Sequence, residues 1–445
     1  MLSGRRNVKR PPKKETYPAY NEGDMSGSSL RAVCLTVAAL GARSHAMAQQ
    51  PVLLEKVRTH MASNLSHLPD YTCLQTIERM ERRIPDRRFE LMDTVRLEVA
   101  LINGKELFSW PGATTFEDED VLQIVPGGLI GTGNFALHAK IVFQSNAPHF
   151  TYAGEQMVDG RRTLRWNYSV EQQDNSFAVR VSGRQAVLAS HGSFWADAKT
   201  LDVTRLEVEG GGIPPELQLL RVSDSVDYMR VKIGRDSFLL PHGAESRVLD
   251  SHNKESVNRV QFTSCRQYLG ETKLSFSDRM ESGGASARQP LRTVEIPAGL
   301  TLYLVLETPL DSAVSAAGDS ITFKLNRELK HGGQTLFEKG SLVRGRLTLL
   351  RRTYLRSAGY SVGIRLSEIQ SPSAQAALHA TIDEIPVLNN WSNRGPEQSR
   401  TMFSAETLPK SVGSAFFQAG RSVMLPRGTL MVWRTVPDPD HEAQP

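Results

Sequence analysis

Along the chain the apolar positions change period twice, and those changes mark out the elements. Residues 52–65 carry Leu53, Val57, Met61 and Leu65 four apart, and Leu54 joins Met61 at a spacing of seven. This is one apolar stripe on a short amphipathic helix. After Leu68-Pro69-Asp70 the period falls to two: residues 71–78 read as a strand, and Val95, Leu97, Val99 and Leu101 line one face of the next. Asn103-Gly104 is a strong hairpin signal, returning through Glu106 to Trp110. Residues 115–143 break the alternation. Glu117-Asp118-Glu119-Asp120 opens a short helical segment, and a second runs from about Asn134 to Phe143 after Pro126-Gly127-Gly128. Hairpins then resume. Asp159-Gly160 turns into Leu164, Trp166, Tyr168 and Val170 on one face, Phe177, Val179 and Val181 follow, and further strands cover 202–208, 226–233, 238–240 and 257–276. The order of helix, meander, two short helices and long meander predicts a large antiparallel sheet, curved around helices that cover its apolar face.

Residues 277–291 are a linker by composition, being rich in Ser, Gly and Arg. A second β unit follows over residues 292–436. Three of its segments are alike: Ile296-Pro-Ala-Gly299, Phe337-Glu-Lys-Gly340 and Leu425-Pro-Arg-Gly428. Each places a glycine three after an apolar residue and ahead of alternating apolar positions, which a glycine turn feeding a strand explains. Residues 386–412 are polar and turn-rich, and predict a flexible excursion from this unit.

Apolar residues make up 40% of the 445 and charged residues 23%, which excludes wholesale disorder and a polytopic membrane protein. The net charge of +5 comes from 53 Lys+Arg against 48 Asp+Glu. Residues 1–48 hold eight of the cations and three of the acids, leaving 45 against 45, so the basic balance belongs to the leader and points to no nucleic-acid partner. Within that leader Arg31 precedes the apolar stretch 32–42, and Ala46 and Ala48 flank Met47. This is the pattern of a secretory signal peptide preceded by a basic extension, with cleavage expected between Ala48 and Gln49. Eleven residues reach about 16 Å as a helix, too short for a hydrocarbon core of about 30 Å. No later stretch holds eighteen consecutive apolar residues, so the exported chain is expected to be secreted or periplasmic, soluble or peripheral to the outer membrane, with no transmembrane span.

Export leaves Cys73 and Cys265. In an oxidising compartment they predict one disulfide closing a loop of about 190 residues, worth roughly 4 to 5 kcal/mol in the chain-entropy model; two buried thiols are the alternative. No cofactor, metal or catalytic residue is assigned. Gly131-Thr-Gly133-Asn-Phe-Ala136 matches the dinucleotide fingerprint, but a Pro-Gly-Gly loop precedes it and its surroundings are antiparallel, so it reads as a turn into a helix. The run from Glu117 to Asp120 lacks the glycine and spacing of a calcium loop and suits a helix N-terminus capped by Thr114 or Thr115. His60 sits beside the first apolar stripe, His138 in the second helical segment, and His149, His191 and His242 near turns, and no motif joins any of them to a nucleophile.

The helix 52–65 leading into residues 71–78, the helical insert 119–143 and the late strand pairs resemble the half-barrel family of periplasmic lipoprotein carriers and outer-membrane lipoprotein-sorting proteins. Leu68-Pro-Asp-Tyr-Thr-Cys73 and Phe262-Thr-Ser-Cys-Arg-Gln-Tyr268 are similar to a secreted branch with no assigned function. The resemblance implies an α+β, mainly β fold over 51–276: a curved antiparallel half-barrel whose apolar concave face, under covering helices, holds an acyl chain or lipoprotein. Trp166, Tyr168, Phe177 and Phe194 then either line that cavity or pack as an ordinary core. Ile296-Pro-Ala-Gly299, Leu310-Asp-Ser312, Gly318-Asp319, Phe337-Glu-Lys-Gly-Ser341 and Gly345 resemble the C-terminal β-barrel domain of the conjugative type IV secretion scaffold protein. That implies a small β-barrel module, expected to contact other envelope proteins. The expected function is non-catalytic binding of a lipid or lipoprotein in the cell envelope; the alternative is a scaffold whose sheet is filled by its own side chains.

Overall fold

The computed structural model describes residues 33–113, 116, 118, 120–125, 127–131, 133–158, 160–269, 291–354, 358–386 and 412–438, with side chains from residue 50. Residues 1–32, which hold much of the expected leader, lie outside them, as do 270–276 of the strand expected over 257–276, 277–290 of the expected linker and 387–411 of the expected excursion.

The first helix, α1 (Val33–Ser66), begins well before the 52–65 read from its apolar stripe and passes through Ala48, Gln49 and Pro51. The residues upstream are Ala-, Leu- and Val-rich and carry no turn signal strong enough to stop a helix. No helix among the described residues is long and apolar enough to cross a membrane. Twelve strands follow. They are β1 (Tyr71–Arg83), β2 (Glu90–Ile102), β3 (Lys105–Ser109), β4 (His149–Val158), β5 (Arg161–Val170), β6 (Ala178–Val181), β7 (Arg184–Val187), β8 (Ala189–Asp197), β9 (Val203–Gly211), β10 (Leu219–Ile233), β11 (Asp236–Asp250) and β12 (Lys254–Gln267). Ten of them form one curled half-barrel sheet in the order β3-β2-β1-β12-β11-β10-β9-β8-β5-β4, with β6 and β7 as a separate hairpin. The helices α2 (Val121–Ile124) and α3 (Leu137–Gln144) fall between β3 and β4.

Asn103 and Gly104 take φ of 50° and 77°, the left-handed pair that the hairpin signal requires. Strand β8 was not legible, because Gly192 and the polar His191 and Ser193 interrupt its alternation. Registration shows why it belongs. Val95, Ile77, Val260, Ala244, Val226, Leu206, Phe194, Trp166 and Tyr152 are successive cross-strand partners from β2 to β4, one unbroken apolar row over nine strands.

Cys73 and Cys265 form a disulfide across β1 and β12, with Cα atoms 4.1 Å apart. Thr72 pairs with Arg266 but Leu74 with Thr263, so Cys73 faces two residues on β12, and Ser264 takes a left-handed φ of 52°. This bulge shifts the parity of β12.

The second sheet runs from 292 to 435. Its strand Ser414–Ala419 pairs with Gly359–Gln370, and Ile382 N–H donates to Ser414 Oγ at 2.8 Å, bringing the two ends of the sheet together around one core containing Phe323, Phe337, Phe416 and Trp433. The three similar segments behave alike: Gly299, Gly340 and Gly428 have φ of 89°, 93° and 91°, and a strand starts two residues after each. Strand β3 pairs only with Glu98–Ile102 of β2, leaving the first half of β2 as an edge. Ala317 of the second unit occupies it: Arg96 N–H donates to Ala317 O at 2.7 Å and Ala317 N–H to Thr94 O at 3.0 Å.

Replacing both Cys73 and Cys265 by serine is expected to lower unfolding free energy by up to roughly 5 kcal/mol, the chain-entropy figure for so long a loop. Urea unfolding of the two proteins measures it, and equal midpoints would show that the bridge carries no stability.

Candidate functional site

The apolar row has a polar neighbour. One register step along, Asp93, Arg79, Asn258, Ser246 and Asp224 are successive partners across β2, β1, β12, β11 and β10. All five are buried, from 1% to 8% exposed, although each occupies an inward position where an apolar residue is the ordinary choice. The row continues through Val208 and Gly192 to Tyr168.

The insert between β3 and β4 lies along this row and is bonded to it in sequence order. Arg79 donates to Gly127 O, Asn258 Nδ2 to Leu129 O at 3.0 Å, and Asn134 Nδ2 to Ser246 Oγ at 3.0 Å, while His138 Nε2 stands 3.0 Å from Asp224 Oδ2. Gly128 fits only as glycine: its φ is +75°, and a Cβ there would stand 2.6 Å from Arg351 Nη1 and 2.8 Å from Arg79 Nη1. At the end of the row Arg79 makes a bidentate pair with Asp93, at 2.6 and 2.5 Å. Arg351, from the second sheet, bonds Asp93 Oδ2 at 3.1 Å and Glu81 at 2.9 Å.

The same insert plugs the apolar interior with two rings. Phe135 lies 4.8 Å from the Tyr71 ring and 5.3 Å from that of Phe262, and Phe143 meets Phe194 edge-on at 5.0 Å. Phe194 is stacked on Trp166 at 5.2 Å. A cavity of about 240 Å³ remains between the insert and the β6–β7 hairpin, lined by Leu122, Ile130, Phe177, Val179 and Val222 over a floor of Asp224 and Ser246. Of the four residues proposed from sequence, Phe177 therefore lines this cavity and Trp166 and Phe194 lie beneath the Phe143 plug. Tyr168 is tied by its hydroxyl to Glu207 O at 2.9 Å, and burial pushes its ionisation upward.

Five buried atoms on this face, Tyr71 Oη, Gln75 Oε1, Asn134 Oδ1, Tyr228 Oη and Asn258 Oδ1, have no hydrogen-bond partner. Each such atom costs about 1–3 kcal/mol. Burial raises the pKa of both phenols, keeping them neutral.

The glycine-containing segment before α3 is occupied by the chain itself. Glu106 accepts from the N–H groups of Gly133, Ala136 and Leu137 at 2.8 to 3.0 Å, the amides that a phosphate would otherwise meet. Asp120 caps α2 through Leu122 N–H at 3.0 Å and pairs with Arg180, and the Leu122 bond leads in holding its carboxyl below the usual range. Glu117 and Glu119 lie outside the described residues. No group of three or more His, Cys, Asp and Glu side chains suited to a metal ion occurs among the described residues.

Helix α1 is pinned at its far end. His60 lies 2.8 Å from Asp202, Arg230 makes two bonds to the same carboxylate, and Asn64 exchanges two 2.9 Å bonds with the Leu239 backbone, standing in for a strand. Burial works against ionisation of Asp202, but Arg230 and His60 together hold its pKa below the ordinary value. On the opposite face of the sheet a polar trough of about 560 Å³ is lined by Arg165, His191, Arg205, Glu207, Glu209 and Arg247. There Arg205 pairs with Glu207 and Asp227, Arg221 with Glu209, and Arg247 with Glu245, the pattern of a solvated charged face.

Sequence reasoning missed the polar row. Its signal was available, as Gln75, Arg79, Asp93, Asp224, Ser246 and Asn258 all interrupt an inward-facing alternation, but only the register aligns them.

No family model matches the chain, and no curated protein does. Among solved structures, a DUF1329 family protein from Desulfovibrio piger aligns over 48% of this chain and 92% of its own, at 12% identity and a TM-score of 0.27. A structure described as an outer membrane lipoprotein-sorting protein domain, from Vibrio parahaemolyticus, aligns over 49% and 94%, at 8% identity and a TM-score of 0.27.

Arg79→Met leaves Asp93 buried with one weaker partner and is expected to cost about 3–5 kcal/mol in denaturant unfolding, while Arg79→Met with Asp93→Leu recovers part of the loss. No recovery in the double variant would show the two charges to be independent. Asp202→Asn is expected to cost about 1 kcal/mol at neutral pH. Because the folded-state pKa is depressed, that contribution is present above the ordinary aspartate range and vanishes as pH falls through the folded value. Thermal unfolding of both proteins against pH reads it, and a difference that grows in acid would contradict the assignment.

Proposed function

We propose that the chain is a non-catalytic binding protein of the cell envelope whose half-barrel takes an acyl chain, free or on a lipoprotein, when the insert lifts from the sheet. The observation that carries this reading is that both interior plugs, Phe135 and Phe143, ride on one segment whose seat is a polar row. Lifting an apolar lid would expose an apolar row to water at about 25 cal/mol per Å². Lifting this one rehydrates Arg79, Asp93, Asn258, Ser246 and Asp224, which water satisfies as well as the insert does, so opening costs less. The 240 Å³ cavity is below the ~300–1,000 Å³ of ordinary small-molecule sites, so an acyl chain needs the space of the plugs. In that open form Trp166, Phe177 and Phe194 line the site, and binding comes from apolar burial with no covalent step. The Cys73–Cys265 bridge agrees with an oxidising compartment. The second sheet is assigned contact with another envelope component, and its resemblance to a secretion scaffold is limited to the barrel.

A second reading, a scaffold with a permanently self-filled sheet, is favoured by the packing of the same two rings, and one variant separates the two. A Cβ on Gly131 would stand 3.5 Å from Ser246 Cβ, a separation that suits a disulfide. Gly131→Cys with Ser246→Cys therefore locks the insert onto the sheet. Native purification, lipid extraction and mass spectrometry are expected to find lipid on the wild type and on each single variant, and none on the locked protein. Lipid-free wild type would establish the scaffold instead, and equal lipid on the locked form would show that the insert does not have to lift.

A further inference from the structure

The turn joining β1 to β2 presents a second, unrelated site. Its residues Arg83, Arg87 and Arg88 are exposed, and their side chains make no hydrogen bond or ion pair with any described residue. They border a cleft of about 640 Å³ whose other walls are Met92, Lys254 and Tyr354, the last from the second sheet. The other charges at the cleft are used. Arg82 pairs with Glu255 at 2.5 Å and lies over the Phe89 ring at 4.5 Å. Glu81 is shared by Arg351 at 2.9 Å and Lys254 at 3.7 Å, and Glu90 accepts from Tyr354, whose pKa is pushed up to about 12 by burial and that bond. Among the described residues, three unpaired guanidinium groups therefore face one unpaired carboxylate, Asp86.

Two features give that excess a direction. Arg83 is the direct cross-strand partner of Lys254, and like charges so placed repel, a cost that a bound anion removes. Ile84 and Tyr354, 42% and 49% exposed, stand among the cations. Apolar and phenolic side chains set between arginines suit the boundary of a bilayer, where the ring and the alkyl group enter the headgroup layer and the guanidinium groups take its phosphates. A soluble polyanion has no use for the exposed Ile84.

We propose that this cleft docks the protein on an anionic membrane surface, the phosphate headgroups lying against Arg83, Arg87 and Arg88 with Ile84 and Tyr354 entering beside them. The docking surface does not depend on the insert or on an acyl ligand. The test is co-sedimentation of the full chain with phosphatidylcholine vesicles, with and without phosphatidylglycerol. The quantity read is the increment that the anionic lipid adds, so that any contribution of the basic leader is shared by every protein compared. That increment is expected to fall with salt. It is expected to drop roughly a hundredfold in the triple variant Arg83→Ala, Arg87→Ala, Arg88→Ala, each near-surface arginine contributing about fivefold. The triple lysine variant, which keeps the charge, is expected to retain most of it. No increment in the wild type, or an increment unchanged in the alanine variant, overturns the proposal. So does its loss in inorganic phosphate but not in chloride of equal ionic strength, which would mark a site for a free anion. An alanine variant whose circular dichroism departs from wild type is replaced by the three single variants, each expected to lose about fivefold.

Discussion

A buried arginine–aspartate pair sets the arrangement of the three parts that meet on it. Arg79 and Asp93 are partners on adjacent strands, facing the interior of a sheet otherwise lined with Val, Leu, Phe and Trp. Each charge alone there would cost several kcal/mol in lost hydration, and the pair is tolerable only because its remaining hydrogen-bonding capacity is used. The carbonyl of Gly127 takes one donor of Arg79, and Arg351 of the second sheet supplies one further donor to Asp93. Both the insert and the second β unit thus contribute to satisfying that charge, and one electrostatic requirement positions both.

From that pair the polar row extends across three more strands, and the insert follows it contact by contact. The row and its apolar neighbour divide the work on one face. The apolar row supplies the burial that holds the curled sheet together, and Phe135 and Phe143 complete it from above. The polar row supplies direction, since four spaced hydrogen-bonding positions specify where the insert lies.

Charge elsewhere follows a different logic. The outer trough pairs Arg205, Arg221 and Arg247 with carboxylates of the same or the neighbouring strand. The β1–β2 turn instead leaves three arginines unmatched beside exposed apolar side chains. With 45 cations against 45 acids outside residues 1–48, such a local excess is invisible in the total and becomes apparent only where side chains are seen to lack partners.

The mainly β class, the insert, the Asn103-Gly104 hairpin and the three glycine turns were all legible in the sequence, because each rests on interactions among near neighbours: alternation with period two and left-handed backbone at glycine and asparagine; the cap of α2 was expected at Thr114 or Thr115 and is Asp120. The Cys73–Cys265 pairing was legible too, since only two cysteines follow the expected cleavage site at Ala48. Strand β8 was not, as its inward Gly192 makes sense only beside Tyr168. Nor was the polar row, whose five members come from strands separated by up to about 180 residues. Taken singly, each looks like an ordinary break in a strand pattern. Their alignment is a property of strand register, which depends on every intervening hairpin and bulge, and that is why the chain by itself determined the kind of sheet, while the tertiary structure alone decided which of its faces carries the polar row and the insert bonded to it.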